Sequence, residues 1–195
     1  MKHTIALVIL SGGRSRRMGQ QKELLSFQGE TFLARICREL SPFCAEKYLS
    51  VHAGQDYTYE GYETLYDLVE DIGPMGGIYT ALKRCEAPAL LAVACDMPFY
   101  GLAQAKRIAE AMGKDAHAGT DILIPLADDR EQMMAAIYGK ACLPVMEEMI
   151  EAGDYRLKSL AAHVRTGYLK QDNALAYRNI NTLQEYESLS ERPDG

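Results

Sequence analysis

The stretch Thr4-Ile5-Ala6-Leu7-Val8-Ile9-Leu10, running directly into Ser11-Gly12-Gly13-Arg14-Ser15-Arg16-Arg17-Met18-Gly19 with Lys22 just beyond, decides the reading of this chain. Thr4–Leu10 is apolar on both faces, as a strand buried on both sides of a parallel sheet must be. Glycines directly after such a strand let the backbone turn sharply and bring bare N–H groups close to an anion. Arg14, Arg16, Arg17 and Lys22 add the positive charge that a polyphosphate needs. No Gly-Lys-Ser/Thr closes the loop, so it is not a Walker A motif. Gly12 and Gly13 are adjacent, so it is not the dinucleotide fingerprint either.

Outward from this loop, short apolar runs alternate with amphipathic stretches. Thr31–Leu40 places Phe32, Leu33, Ile36 and Leu40 on one helical face, with Thr31 as cap. Strands are expected at Lys47–His52, Glu63–Tyr66, Leu90–Ala94, Asp121–Pro125, Met134–Tyr138 and Thr166–Leu169. Helices are expected from Gly73 to about Cys85, and at Leu102–Met112, Leu143–Ala152 and Leu183–Leu189, with Gly153 as a stop signal. This alternation implies an α/β fold, a three-layer α/β/α sandwich with a mostly parallel sheet. Ligands of such sheets bind beyond the carboxyl ends of the strands. The remaining aliphatic and Met-rich stretches read as core.

The 195 residues favour one domain. Lys and Arg total 21 against 27 Asp and Glu, a net charge of −6, which disfavours a nucleic-acid partner. The longest N-terminal apolar run, Ile5–Leu10, is too short to span a membrane and lacks the layout of a signal peptide, so no membrane partner is expected. The five cysteines are odd in number and form no C-x-x-C pair, which reads as reduced, buried thiols in a cytoplasmic protein. The four histidines make no zinc-like spacing.

Three further segments carry candidate chemistry. Asp96, in Cys95-Asp96-Met97-Pro98, ends an apolar strand, where a carboxylate is placed to hold Mg²⁺ over a triphosphate. Asp67, Glu70 and Asp71 precede Gly73-Pro74-Met75-Gly76-Gly77, whose helix start can receive an anion or a base carbonyl. Asn179 and Asn181 alternate, so both can project from one edge.

The run L-S-G-G-R-S-R-R-M-G-x-x-K-x-L-L resembles the signature loop of the molybdenum cofactor guanylyltransferases, within a wider nucleotidylyltransferase family of nucleotide-diphospho-sugar-transferase-like fold. Tyr66-Asp67 with Gly73–Ile78, Leu91–Pro98 and Arg178-Asn179-Ile180-Asn181-Thr182 resemble later blocks of that family in order and spacing. The chain departs from it in lacking a proline after Thr182 and in carrying Met133-Met134 where many relatives have Pro-Leu.

The resemblance implies an enzyme that transfers GMP from GTP to the phosphate of Mo-molybdopterin and releases diphosphate. Its catalytic residues would be Arg14, Arg17, Lys22 and Asp96, with Asp96 as ligand to Mg²⁺. GTP would meet Leu10, Ser11, Gly12, Gly13, Lys22, His52, Asp67 and Asp96. Arg156, Asn179 and Asn181 would face the molybdopterin. The nucleotide-binding half would run from about 1 to 100 and the molybdopterin-binding half from about 101 to 190. Contacts with proteins of cofactor synthesis and delivery would be transient. Gly12 stands where guanylyl relatives carry glycine and cytidylyl relatives alanine, so guanine is the expected base. Rival readings are a molybdopterin cytidylyltransferase, a nucleotidylyltransferase acting on another phosphate substrate, and a non-catalytic nucleotide-binding delivery module.

Overall fold

The fold is that of a computed structural model, which describes residues 5–11, 26–27, 29–52, 57–180, 184–185 and 188. The quoted apolar run forms β1 (Ile5–Ser11), buried along its whole length. A two-stranded hairpin, β2 (Ser26–Phe27) and β3 (Glu30–Thr31), leads into α1 (Phe32–Leu40). Thr31 caps that helix, its Oγ1 accepting from the Ala34 N–H at 3.1 Å. There follow β4 (Lys47–Val51), β5 (Glu63–Tyr66), α2 (Pro74–Arg84), β6 (Ala89–Ala94) and α3 (Leu102–Met112). The remainder is β7 (Ile122–Ala127), β8 (Arg130–Glu131), β9 (Ile137–Gly139), α4 (Leu143–Glu151), α5 (Leu157–His163) and β10 (Thr166–Gln171).

Among the described residues the main sheet runs β10-β7-β9-β6-β1-β4-β5, with β8 paired to the end of β7. Every neighbouring pair on that path is parallel except those of β9, which lies antiparallel to both β6 and β7. The sheet is therefore mixed but mostly parallel. Alternation along the strands sends side chains to two cores. Leu7, Ile9, Leu91 and Val93 meet Ile36, Leu40 and Ile108 of α1 and α3 on one face. Val8, Leu90, Ala92 and Ile124 meet Ile78, Leu82, Met146 and Leu160 of α2, α4 and α5 on the other. Each fully buried aliphatic side chain contributes about 1.5–3 kcal/mol by leaving water, so both helical layers are held by the same sheet.

Two local expectations need correction. The strand expected at Met134–Tyr138 is a 3-10 turn over Met133–Ala135 followed by β9. Its apolar run is divided because Met133, Ala135 and Ala136 pack around the turn before the chain enters the sheet. The helix α5 has no clear signature in the sequence, because it has two core anchors, Leu157 and Leu160, and no side-chain cap. Of the helix expected over Leu183–Leu189, Gln184, Glu185 and Ser188 are described and helical, and the other positions lie outside the described residues. Among the described residues no helix is long and apolar enough to cross a membrane.

Candidate active site

The parallel strands all point their carboxyl ends at one edge of the sheet, which therefore gathers Ser11, Val51, Tyr66, Ala94, Ala127 and Gln171. The centre of that edge is built by β1 and β6. Their pairing continues one residue past β6, where the Cys95 N–H donates to the Leu10 carbonyl at 3.2 Å. This carries Asp96 to the mouth of β1, from which the glycine- and arginine-rich loop departs. Leu10 is buried, and Ser11 is 1% exposed with an Oγ that finds no hydrogen-bond partner among the described residues. Gly12, Gly13, Arg14, Arg17 and Lys22 lie outside the described residues, as does Asn181.

Asp96 is half-buried. Its carbonyl accepts the Ile180 N–H at 2.8 Å, which seats the C-terminal segment, including exposed Asn179, beside it. Beneath this contact the rings of Tyr100 and Tyr177 meet edge to face, with centroids 5.5 Å apart. The turn after Asp96 is tied to α1 by Arg35, whose Nε donates to the Pro98 carbonyl at 3.1 Å.

A second cluster forms at the ends of β4 and β5. Ser50 donates its hydroxyl to Asp67 Oδ1 at 2.9 Å. Burial pushes the Asp67 carboxyl above its ordinary range, while the Ser50 hydroxyl and the charge of nearby His52 pull it down. Glu70 and Asp71 are exposed, and Asp71 occupies the left-handed region at φ 63°. The loop is anchored by Thr80 of α2, whose Oγ1 accepts from the Leu68 N–H at 2.9 Å.

Gly76 and Gly77 explain the glycine pair in a way the sequence did not disclose. A Cβ on Gly77 would stand 2.4 Å from Ser50 Oγ and 2.6 Å from Leu10 Cδ2. One on Gly76 would stand 2.8 Å from Asp67 Oδ2. The glycines let α2 close directly onto the ends of β1, β4 and β5. Ser50 was not among the sequence candidates, since a lone serine near a strand end carries no pattern of its own.

Arg156 is placed differently. It precedes α5 and grips Asp154 through Nε and Nη2, both at 2.8 Å, and this fork holds the Asp154 carboxyl well below the usual range.

Among the described residues no three His, Cys, Asp or Glu side chains converge as a metal cage. A single half-buried carboxylate suits a hard cation such as Mg²⁺, which takes one or two carboxylates and fills its shell with phosphate and water oxygens.

Residues 7–169 match the MobA-like NTP transferase domain family. A Flavobacterium johnsoniae protein named "probable molybdenum cofactor guanylyltransferase" is 32% identical over 189 residues, covering 96% of this chain and 97% of that one. The crystal structure of molybdopterin-guanine dinucleotide biosynthesis protein A from Archaeoglobus fulgidus superposes with a TM-score of 0.79 at 22% identity, covering 95% and 97% of the two chains. A Mycobacterium tuberculosis protein crystallised with manganese superposes at 0.67 and 17% identity, covering 95% and 97%. With a family match over most of its length and a sheet edge built as described, this chain belongs to the MobA-like NTP transferase family and is a nucleotidyltransferase.

Proposed function

We propose that the enzyme transfers GMP from GTP to the phosphate of Mo-molybdopterin, releasing diphosphate, with Mg²⁺ held at Asp96. One observation carries this reading. Asp96 stands between the strand that feeds the glycine- and arginine-rich loop and the segment that carries Asn179. A triphosphate on one side and a second substrate on the other would thus meet over one carboxylate. The names of the relatives supply the substrates, and the adjacent Gly12 and Gly13 of this chain support guanine as the base.

The attacking phosphate oxygen is already anionic, so no strong general base is needed. Catalysis is then positioning plus charge stabilisation at the α-phosphorus. Arg14, Arg17 and Lys22, with the main chain of Ser11, Gly12 and Gly13, bind the triphosphate. Asp67, buttressed by Ser50 and neighboured by His52, contacts the nucleoside; its partial burial supports it over Glu70 and Asp71. Asp96 orients the reacting phosphates, and bound Mg²⁺ supplies neutralisation of their developing charge. Asn179, Asn181 and Arg156 serve the molybdopterin half, about 101–190, and the nucleotide half is about 1–100. The buried cysteines Cys37, Cys44, Cys85, Cys95 and Cys142 support a reducing, cytoplasmic setting. Contacts with cofactor-delivery proteins would be transient.

The test is diphosphate release measured with GTP, CTP, ATP and UTP in turn, with and without molybdopterin. Release confined to GTP plus molybdopterin is expected. Release with CTP instead overturns the choice of base, and release with a sugar phosphate in place of molybdopterin overturns the second substrate.

A further inference from the structure

Beyond the Asp96 and Asp67 clusters, a groove of about 620 Å³ opens toward the other end of the same sheet edge. It is lined by Leu126, Asp129, Arg130, Glu131, Lys158 and Tyr168. Its position follows from strand register. Leu126 of β7 is opposite Glu131 of β8, and Tyr168 of β10 is opposite Ile124 of β7. Ile124 belongs to the core beneath α4 and α5, so Leu126, Glu131 and Tyr168 rise on that face. Lys158 closes the groove from α5.

The groove has one aromatic wall, Tyr168, and one carboxylate, Glu131, held by two neighbours. Tyr168 is 47% exposed although it is a large ring in a strand. Its hydroxyl donates to Glu131 Oε1 at 3.3 Å, and Lys158 Nζ stands 3.5 Å from Glu131 Oε2. The Glu131 side chain is 32% exposed, against 78% for Lys158. Both contacts of the carboxylate are long for charge-assisted bonds, and the lysine is mostly solvated, so a better-placed donor pair can replace them.

Charge decides what kind of ligand fits. Asp129 and Glu131 offset Arg130 and Lys158, so the groove has no net attraction for a polyanion. A flat, neutral heterocycle that lies on Tyr168 and presents two adjacent N–H donors does fit. The 2-amino-4-oxopyrimidine edge presents such a pair to the two oxygens of a carboxylate. Guanine and pterin both carry it. Position separates them. The strands β7 and β6 are two strand spacings apart, ~10 Å, with β9 between them. The Asp67–Ser50 cluster stands on the opposite side of Asp96, at β4 and β5. The groove thus lies on the side of Asp96 away from the nucleotide cluster, which favours the second substrate over the nucleobase.

We propose that this groove receives the pterin ring of the second substrate, Glu131 accepting from its 2-amino-4-oxo edge and Tyr168 stacking on its face. The proposal rests on the reading above that the second substrate is a pterin phosphate.

The probe is 6-hydroxymethylpterin, titrated into the intact protein and followed by its own fluorescence. Saturable quenching is expected. Glu131→Gln should weaken it about tenfold or more, the loss of a hydrogen bond to a charged group. Tyr168→Ala should weaken it severalfold, while Tyr168→Phe, which keeps the ring, should stay close to wild type. GTP, held through its phosphates at the nucleotide cluster, should leave the probe bound at concentrations that saturate that cluster. Circular dichroism of each variant verifies the fold. Absence of quenching in the wild type, unchanged affinity in Glu131→Gln and Tyr168→Ala, or displacement by GTP at those concentrations each overturns the proposal. Diphosphate release is measured separately on the same proteins. Pterin binding that depends on Glu131 without GTP turnover would sink the assigned reaction and keep the groove. Turnover with molybdopterin at wild-type KM in both variants would do the reverse.

Discussion

The backbone N–H of Ile180 donates to the carbonyl of Asp96 at 2.8 Å, which ties the C-terminal segment to the main chain of the acidic residue. The carboxylate can therefore be removed without cutting the tether.

Asp96→Ala should fold normally and lose most turnover. Removing one preorganised electrostatic group typically costs about 3–4 kcal/mol at the barrier, or ~10²–10³-fold in kcat. GTP affinity measured without metal should change far less. Steady-state diphosphate release and calorimetric titration of GTP check both halves. Near-normal turnover at saturating Mg²⁺ would remove Asp96 from the metal role.

Tyr100→Phe should stabilise the protein. The ring is almost wholly buried, edge-on to Tyr177, and its hydroxyl has no hydrogen-bond partner among the described residues. Burying an unsatisfied hydroxyl costs about 1–3 kcal/mol, and phenylalanine keeps the aromatic contact without that cost. A gain of about 1 kcal/mol corresponds to ~2–4 °C in Tm for a chain of this size. A lower Tm in differential scanning calorimetry would reveal a partner for the hydroxyl.

Ser50→Ala should impair nucleotide use and make stability more sensitive to pH. Burial holds the Asp67 carboxyl above its ordinary value and the Ser50 hydroxyl opposes that shift. A carboxyl raised in the folded state contributes stability that is full below its unfolded value and lost as pH rises through its folded value. Without Ser50 the folded value rises further. The deficit relative to wild type should thus be smallest in acid, where Asp67 is protonated in both proteins, and grow through the carboxylate range toward neutrality. Urea denaturation at acid and neutral pH reads the difference directly. A deficit independent of pH would mean that the serine acts by packing alone. The KM for GTP should rise about tenfold, in line with loss of a hydrogen bond to a charged group.

Gly77→Ala should destabilise by about 1–3 kcal/mol, the usual cost of forcing extra volume into a packed interior. The added methyl would press on Ser50 Oγ and Leu10 Cδ2. Because those atoms support the nucleotide cluster, kcat/KM for GTP should fall by more than the stability loss alone explains. Thermal melts and GTP kinetics well below Tm test the two effects. A variant as stable and active as wild type would show that α2 can move off the strand ends.

The alternation of β1, α1, β4, α2 and β6 was legible because each element announces itself locally. A buried parallel strand is a short apolar run, and an amphipathic helix repeats its apolar residues every three or four positions. The position of Asp96 at a strand end was legible for the same reason, since it follows the apolar run of β6, whereas Asp67 stood out from Glu70 and Asp71 through the family resemblance alone. What the linear chain could not disclose is how distant segments meet. That Ser50 reaches Asp67, that Gly76 and Gly77 are there to admit those two residues, and that Ile180 closes on Asp96 depend on the order β10-β7-β9-β6-β1-β4-β5. The antiparallel insertion of three-residue β9 and the short α5 were hidden because so few residues carry no period of their own and are held by their neighbours. The groove between Tyr168, Glu131 and Lys158 is likewise a product of register: a one-residue slip of β10 would turn Tyr168 to the opposite face. Local physics thus determined the elements and their chemistry-bearing ends, and the sheet's strand order and register decided which of those ends face one another.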